Sequence, residues 1–283
     1  MNNIALIEPV DYLVIGHITQ DILPNGFALG GTVSYSALTA AAFGLRVGMV
    51  TSCAPDLKLP ELEGIKIVRK DAVQSTTFEN VYTPNGRVQH VHHRADTITC
   101  ADIPQQWKDT PIVHLGPVAQ EVDPALSAAF THSFVGVTPQ GWMRDWDDEG
   151  RVFPCKWGDY KSVLQHANAA ILSLEDVSND EDEIQKFAEA VPILVITYGE
   201  ADARVYWHGD VRVFRPPDRE EVDATGAGDI FATSFFVRYN QTRDPWESAR
   251  FAALIASNSV TRRGLASIPT REEIKTITSE IVK

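Results

Sequence analysis

The segment Val222 to Asp229, VDATGAGD, runs directly into the apolar stretch Ile230 to Tyr239. Gly226 and Gly228 have no bulky side chains, so the backbone N–H groups of 226 to 229 can converge on one point at a helix N-terminus. Such a point, built from the N–H groups of 226 to 229, holds an anion. Asp229 falls in the first helical turn, where the helix dipole favours a carboxylate. A carboxylate beside an anion cradle suits a general base placed next to a phosphoryl group. A small-residue turn before a helix can also be a plain connector. Here Asp223 and Asp229 bracket the turn, an arrangement without a packing rationale. The chain contains neither a GxxxxGK[ST] phosphate loop nor a GxGxxG opening an early strand–helix unit, so neither a P-loop nor a dinucleotide site is expected.

The elements that must hold this turn are written in short apolar runs: Tyr12 to Ile15, Val47 to Thr51, Ile112 to Leu115, Phe134 to Val137, Ala170 to Leu174 and Ile193 to Thr197. Such runs, separated by helix-length segments, predict parallel strands buried on both faces of a doubly wound α/β sheet. Helices are expected over Val33 to Phe43, stopped by Gly44, and over Asp180 to Glu189. In the second, Asn179 or Asp180 caps an acidic first turn, so the run Ser178 to Glu183 reads as a helix start rather than a metal site. Two stretches alternate as hairpins. Val73 to Thr99 turns at Pro84-Asn85-Gly86, and Ala203 to Phe214 turns at His208-Gly209-Asp210. The first would form a lid, giving one domain over 1–283 with a small β lid built mainly from about 73–99.

Composition fits that frame. The chain has 283 residues, 44% hydrophobic and 22% charged, with a net charge of −13 that repels nucleic acid and anionic lipid alike. Three separated cysteines give neither a zinc knuckle nor a disulfide framework. With no basic leader and no apolar run of membrane-spanning length, a soluble, cytoplasmic protein is expected.

VDATGAGDIF resembles the C-terminal signature of the pfkB, or ribokinase-like, family of carbohydrate and nucleoside kinases. Gly30-Gly31, followed by Ala37 and by Phe43-Gly44, is similar to that family's N-terminal GG motif and helix. The resemblance implies a ribokinase-like sheet, ATP as donor, Mg²⁺, and a hydroxyl acceptor. It implies Asp229 as the catalytic base, with Gly226, Ala227 and Gly228 as the anion hole, and Asp21, with Gly30 and Gly31, in the acceptor site. Thr197 and Gly199 in VITYGE match a nucleotide-binding TxG, and Ala252 to Gly264, with Ala253, Ser257 and Gly264, would wall the adenine. Asp223 and Thr225 match positions that hold a monovalent cation, K⁺, in some members.

Several positions depart from the family. Its helix Asn is Tyr35 here, its NxxE motif near Mg²⁺ and phosphate is Ser173 and Asp176, and an Asn beside adenine is replaced by Ala253. Ser173 and Asp176 keep an oxygen donor and a carboxylate, enough for a water-mediated Mg²⁺ contact. The combination GGTVSYSALTAA, TPQGWMRDWDDEGRV and LSLED resembles an inositol-kinase-like subgroup. That favours a polyhydroxylated ring as acceptor, with Gln140 and Arg144 as site-wall residues and a homodimer through the lid as a further implication.

Other constellations weigh less. His90 and His92 share a strand face while His93 points away, which fits a lid strand better than a zinc site. Arg94 would reach the acceptor or its phosphate, or serve as a solvated lid arginine. Trp142, Trp146 and Trp157 read as core or interface residues. Two rival functions stand beside a sugar or polyol kinase. One is a nucleoside kinase, with Tyr35 clamping the base, and the other a weakly catalytic ligand sensor on the same cleft.

Overall fold

A computed structural model of the chain describes residues 7–83, 86–199 and 202–281. In chain order the elements are β1 (Tyr12–Ile15), β2 (Thr19–Leu23), β3 (Gly26–Gly30), α1 (Thr32–Ala42), β4 (Val47–Cys53), β5 (Lys66–Asp71), β6 (Thr76–Thr83), β7 (Gly86–His93), β8 (Ile112–Leu115) and β9 (Phe134–Val137). There follow β10 (Arg144–Trp146), β11 (Val152–Pro154), α2 (Tyr160–Leu164), β12 (Ala169–Ser173), α3 (Glu181–Ala190), β13 (Ile193–Thr197), β14 (Ala203–Trp207), β15 (Asp210–Phe214), α4 (Ala227–Thr242), α5 (Pro245–Ser259) and α6 (Arg271–Ile281).

The main sheet runs in the order β15-β14-β13-β12-β9-β8-β1-β4-β5. The seven strands from β13 to β5 pair in parallel, while β14 and β15 add the expected antiparallel hairpin at the edge. Strand β1 is fully buried, and alternate residues serve opposite layers. Leu13 and Ile15 pack with Trp107, Trp142, Trp157 and Phe187. Tyr12 and Val14 pack with Val33 of α1, Phe231 and Phe235 of α4, and Ala249 of α5. Trp142 and Trp157 stack at 5.4 Å between ring centroids, so both are core residues. Helix α3 begins as its sequence predicts: Asp180 accepts N–H bonds from Asp182 and Glu183 at the dipole's positive end.

A second sheet is ordered β3-β2-β6-β7. Its 73–99 half matches the expectation as far as Thr83 pairing with Gly86, while Pro84 and Asn85 at the turn lie outside the described residues. The other half is a hairpin, β2–β3, on a stretch for which no element was expected. Its turn residues are Pro24 and Asn25, with Leu23 opposite Gly26. Strand β2 pairs in parallel with β6, setting Asp21 opposite Phe78. Where β1 passes into the lid, the buried His17 lies between Thr76 Oγ1 at 2.6 Å and the Asp96 carbonyl at 2.9 Å, joining three crossings of core and lid. No helix among the described residues is long and apolar enough to cross a membrane.

Candidate active site

Asp229 is the third residue of α4, whose N-cap Gly226 has φ 79° and ψ −4°, the left-handed region that L side chains avoid. A Cβ at Gly226 would lie 2.2 Å from Cδ1 of Tyr35, so the turn closes only because the buried Tyr35 ring packs flat against a bare backbone. At Gly228 a Cβ would meet nothing within 4 Å and would project into open space. The Ala227 N–H donates to the Ala224 carbonyl at 3.1 Å. It is therefore committed to the turn, which narrows the expected anion hole at Ala227. The N–H groups of Gly228 and Asp229, in the first turn, have no intrahelical acceptor to satisfy and are the donors an anion would use.

The turn is anchored from below. Asp223 accepts the Thr225 N–H at 2.9 Å on Oδ1 and the Gly264 N–H at 3.0 Å on Oδ2, while Val222 and Asp223 N–H groups both donate to the Val260 carbonyl. Burial pushes the Asp223 carboxyl up, but hydrogen bonds from Thr225 and Gly264 outweigh it and leave the group below its ordinary value. Both oxygens of Asp223 are thus already engaged with backbone, and a monovalent cation at Asp223 and Thr225 would have to share them.

As a residue Asp229 keeps some surface, but its carboxyl is ringed by protein. Burial pushes its pKa up to about 6, opposed by a hydrogen bond from the Thr32 side chain and the positive charge of Arg144, and reinforced by the negative charge of Asp176. Gln140 Nε2 donates to Thr32 Oγ1 at 2.9 Å, so Thr32, Arg144 and Asp176 bear on the carboxylate and Gln140 stands behind Thr32. Sequence reasoning found three of these four and missed Thr32. The hydroxyl type directly after Gly31 was the available signal.

Asp21 sits in the middle of β2 on the lid, where Thr19 Oγ1 donates to its Oδ1 at 3.2 Å. Its Oδ2 lies 2.5 Å from where a Cβ of Gly30 would stand, so Gly30 makes room for the carboxylate. Burial pushes the Tyr35 hydroxyl upward, reinforced by Asp229, Asp21 and Asp223, so this ring stands amid all three carboxylates. Gly31 is the N-cap of α1, one residue from Thr32.

Arg94 is tied to the backbone. Its guanidinium donates to the carbonyls of Ala119 at 2.7 Å and Gln120 at 2.8 Å and to Thr97 Oγ1 at 2.9 Å, clamping the loop after β8. His92 pairs with Glu79 at 2.8 Å, and among the described residues no group of three or more His, Cys, Asp or Glu could hold a metal ion.

On the donor side, Ser173 and Thr197 stand opposite each other at the carboxyl ends of β12 and β13. Asp176 Oδ2 accepts the Ser173 N–H at 2.9 Å and Ser173 Oγ accepts the Asp176 N–H at 3.2 Å, a reciprocal clasp that aims the turn. Gly199 is exposed just beyond, with Glu200 of the TxG stretch outside the described residues. Ala253 is buried in the core, and the Ser257 hydroxyl donates to the Leu254 carbonyl of its own helix at 2.9 Å. Neither side chain offers a polar contact to a base. Asp176 and Asp229 sense each other's charge, and two carboxylates without further metal-type ligands nearby among the described residues fit a Mg²⁺ ion held through water and phosphate oxygens rather than by the protein alone.

Residues 151–271 match the pfkB family carbohydrate kinases. The cytidine kinase of Thermococcus kodakarensis is 25% identical over 269 residues, covering 85% of this chain and 92% of that protein. In the solved structures the same ribokinase-like fold recurs. A pyrophosphate-dependent kinase in the ribokinase family, complexed with a pyrophosphate analog and myo-inositol, superposes with a TM-score of 0.76 at 19% identity, covering 93% of this chain and 99% of that one. The fructokinase of Xylella fastidiosa with bound ATP gives 0.74 at 16% identity, covering 96% and 99%. Within the matched residues fall Ser173, Asp176, Thr197, the Asp223–Asp229 turn and the α5 residues. Asp21, Thr32, Tyr35, Gln140 and Arg144 come from the preceding 150 residues and meet them through the fold.

Proposed function

We propose that this chain is a kinase that transfers the γ-phosphoryl group of ATP to a hydroxyl of a small polyol or sugar. The observation that carries the reading is the Asp229 carboxylate, held at the first turn of α4, where N–H groups have no acceptor within the helix. In the transfer the acceptor oxygen forms a bond to the γ-phosphorus, the bond to the β–γ bridging oxygen breaks, ADP leaves, and the hydroxyl proton passes to Asp229. Such transfer asks the protein mainly for positioning and for charge neutralisation on the phosphoryl oxygens. Gly228 and Asp229 N–H groups and Arg144 supply that neutralisation from the chain's side. Asp176 and Ser173 would hold Mg²⁺ through water, which when bound adds positive charge at the phosphates. Asp21 orients the acceptor hydroxyls, and the lid excludes water that would otherwise compete for the phosphoryl group.

A nucleoside acceptor is the second reading, motivated by the resemblance to a cytidine kinase. It is disfavoured by Tyr35, whose ring is packed against Gly226 and cannot also clamp a base. The test is an ADP-release screen of the purified protein with Mg-ATP against inositols, pentoses, hexoses and nucleosides, with pyrophosphate as an alternative donor read by phosphate release. Acceptor-dependent ADP release with a polyol or sugar supports the reading. Release only with nucleosides, or turnover only with pyrophosphate, overturns the acceptor or the donor respectively. A melting shift with sugar but no turnover would identify a sensor instead.

Two further outcomes are expected. Asp21→Ala should raise the acceptor KM by roughly tenfold or more while the KM for ATP holds steady, because its contacts are to one substrate. Steady-state kinetics with both substrates varied would show it, and unchanged acceptor kinetics in a folded variant would remove Asp21 from the site. Since Asp229 must be ionised to take a proton and its pKa stands at about 6, kcat should fall as pH drops through that value and level off above it. A rate profile flat from pH 5 to pH 8, by this chain's expected midpoint, would contradict a base with that pKa.

A further inference from the structure

A chain of hydrogen bonds runs through the core beneath the α4 turn and has no role in the proposed transfer. Tyr12 of β1, His114 of β8 and Thr233 of α4 are fully buried, and Thr138, just past β9, nearly so. The Tyr12 hydroxyl lies 2.9 Å from His114 Nδ1 and 3.3 Å from Thr233 Oγ1. His114 Nε2 lies 2.9 Å from Thr138 Oγ1. A neutral imidazole has one donor and one acceptor nitrogen, and each hydroxyl has one proton and can also accept. The chain therefore satisfies both ring nitrogens whichever way its protons run. Burial pushes the His114 pKa down to about 3, so the ring is neutral and the chain is a strut without charge.

What the strut holds is α4. That helix lies on the sheet through Phe231, Phe235 and Phe236, and apolar contacts of this kind are non-directional, so they let a helix slide or turn. Of the two buried hydroxyl groups of α4, that of Ser234 has no partner among the described residues, and that of Thr233 is taken by Tyr12. Thr233 stands four residues after Asp229, on the same face and about 6 Å along the axis. The imidazole in the middle of the strut is fixed as well. Gly136 stands opposite His114 in the sheet, and a Cβ there would lie 2.5 Å from Phe236 Cζ. The Phe236 ring that takes this place meets His114 edge-on, with 5.0 Å between centroids. At the far end, Thr138 precedes Pro139 and Gln140, whose amide reaches Thr32 Oγ1.

We propose that His114 is a positioning residue for phosphoryl transfer: bonded to Thr233 through Tyr12 and directly to Thr138, it fixes α4 along its axis, and Asp229 with it, against the strand ends and the loop that carries Gln140. This rests on Asp229 being the base. None of the four residues touches a substrate in the proposed step, so cutting the strut shows in turnover rather than in binding.

The test cuts the strut at single oxygens. Tyr12→Phe removes the middle hydroxyl and keeps the ring. Thr233→Val removes the helix hydroxyl and keeps the shape, while Thr233→Ser keeps the hydroxyl. In the Phe and Val variants kcat, with Mg-ATP and the best acceptor of the screen, should fall roughly 10- to 100-fold, the scale of a misplacement of about 1 Å at a reacting centre, with both KM values within about twofold. The Ser variant should recover most of the rate. Phe187→Leu, in the layer on the other side of the sheet, is the control: its melting temperature should drop while kcat below the melt stays at wild type. Wild-type kcat in Tyr12→Phe overturns the proposal, as does a Ser variant as impaired as Val, or a Phe187→Leu variant that loses as much rate. If Tyr12→Phe does not fold, the two Thr233 variants decide. All of these outcomes need an active wild type, so they are distinct from failure of the kinase reading: a wild type that transfers to no acceptor fails that reading and takes this proposal with it.

Discussion

Asp229→Asn should give a folded protein that transfers phosphate about 10²- to 10⁴-fold more slowly, the range for losing a positioned general base. Asn matches Asp in size and still accepts a hydrogen bond from Thr32, so packing is conserved while proton acceptance is lost. Affinity for ATP should change little. Stability supplies a second, opposite reading. Burial raises the folded-state pKa of Asp229 from 3.8 to about 6, so folding disfavours its charge. The penalty grows as pH rises through that window and is complete above it. The Asn variant should therefore melt higher than the wild type at pH 8, with the gap closing as pH falls toward 4, its ordinary range. Loss of rate together with a gain in melting temperature separates a base from a helix cap, for which Asn would be neutral in both. A variant keeping more than about half of its turnover would sink the assignment.

The second large effect contrasts the two glycines of the turn. A side chain at Gly228 points into open space, so Gly228→Val should fold close to normally and fill the volume where the transferred phosphate would sit. Turnover should fall by at least about 10²-fold, on the scale of losing an anion-hole donor. Gly226→Ala should act on the fold instead. Its methyl would enter the Tyr35 ring, and the left-handed φ of 79° adds strain, for a combined cost of about 2–5 kcal/mol. Thermal melts and kcat measured on both variants would check the division. A stable Gly226→Ala, or a fully active Gly228→Val, would show that the turn is not built as described.

What could be read in the sequence follows the range of each interaction. The turn from Val222 to Asp229 was legible because its conformation and its chemistry lie in consecutive residues. The central strands were legible because a strand buried on both faces must be apolar throughout. Tyr35 illustrates the limit. Its identity suggested an aromatic platform for a base, but its partner is a backbone 191 positions away, Gly226, and only the packing of α1 on α4 brings them together. Thr32 was passed over for the same reason, since both its partners are distant in sequence. The β2–β3 hairpin did have a local signal. Pro24-Asn25-Gly26 repeats the tripeptide Pro84-Asn85-Gly86 that marked the other lid hairpin. The short strands around it, with Asp21 and Gly30 serving the site, obscured the alternation. Arg94 shows a second limit: its guanidinium donates to the Ala119 and Gln120 carbonyls, and sequence does not distinguish an arginine that holds nearby carbonyls from one that reaches a phosphate.

The wedge of Tyr35 against Gly226 also constrains how this site can change over generations. While the ring is in place, a side chain at Gly226 is shut out by contact as well as by backbone conformation. Once Tyr35 has been exchanged for a smaller residue, position 226 can accept Asn, which tolerates the left-handed region better than other side chains do. The two substitutions are thus ordered: the path that shortens residue 35 first passes through folded intermediates, and the reverse path passes through a destabilised one. Descendants of this chain that carry a non-glycine residue at the head of α4 should therefore have lost the tyrosine from α1 beforehand.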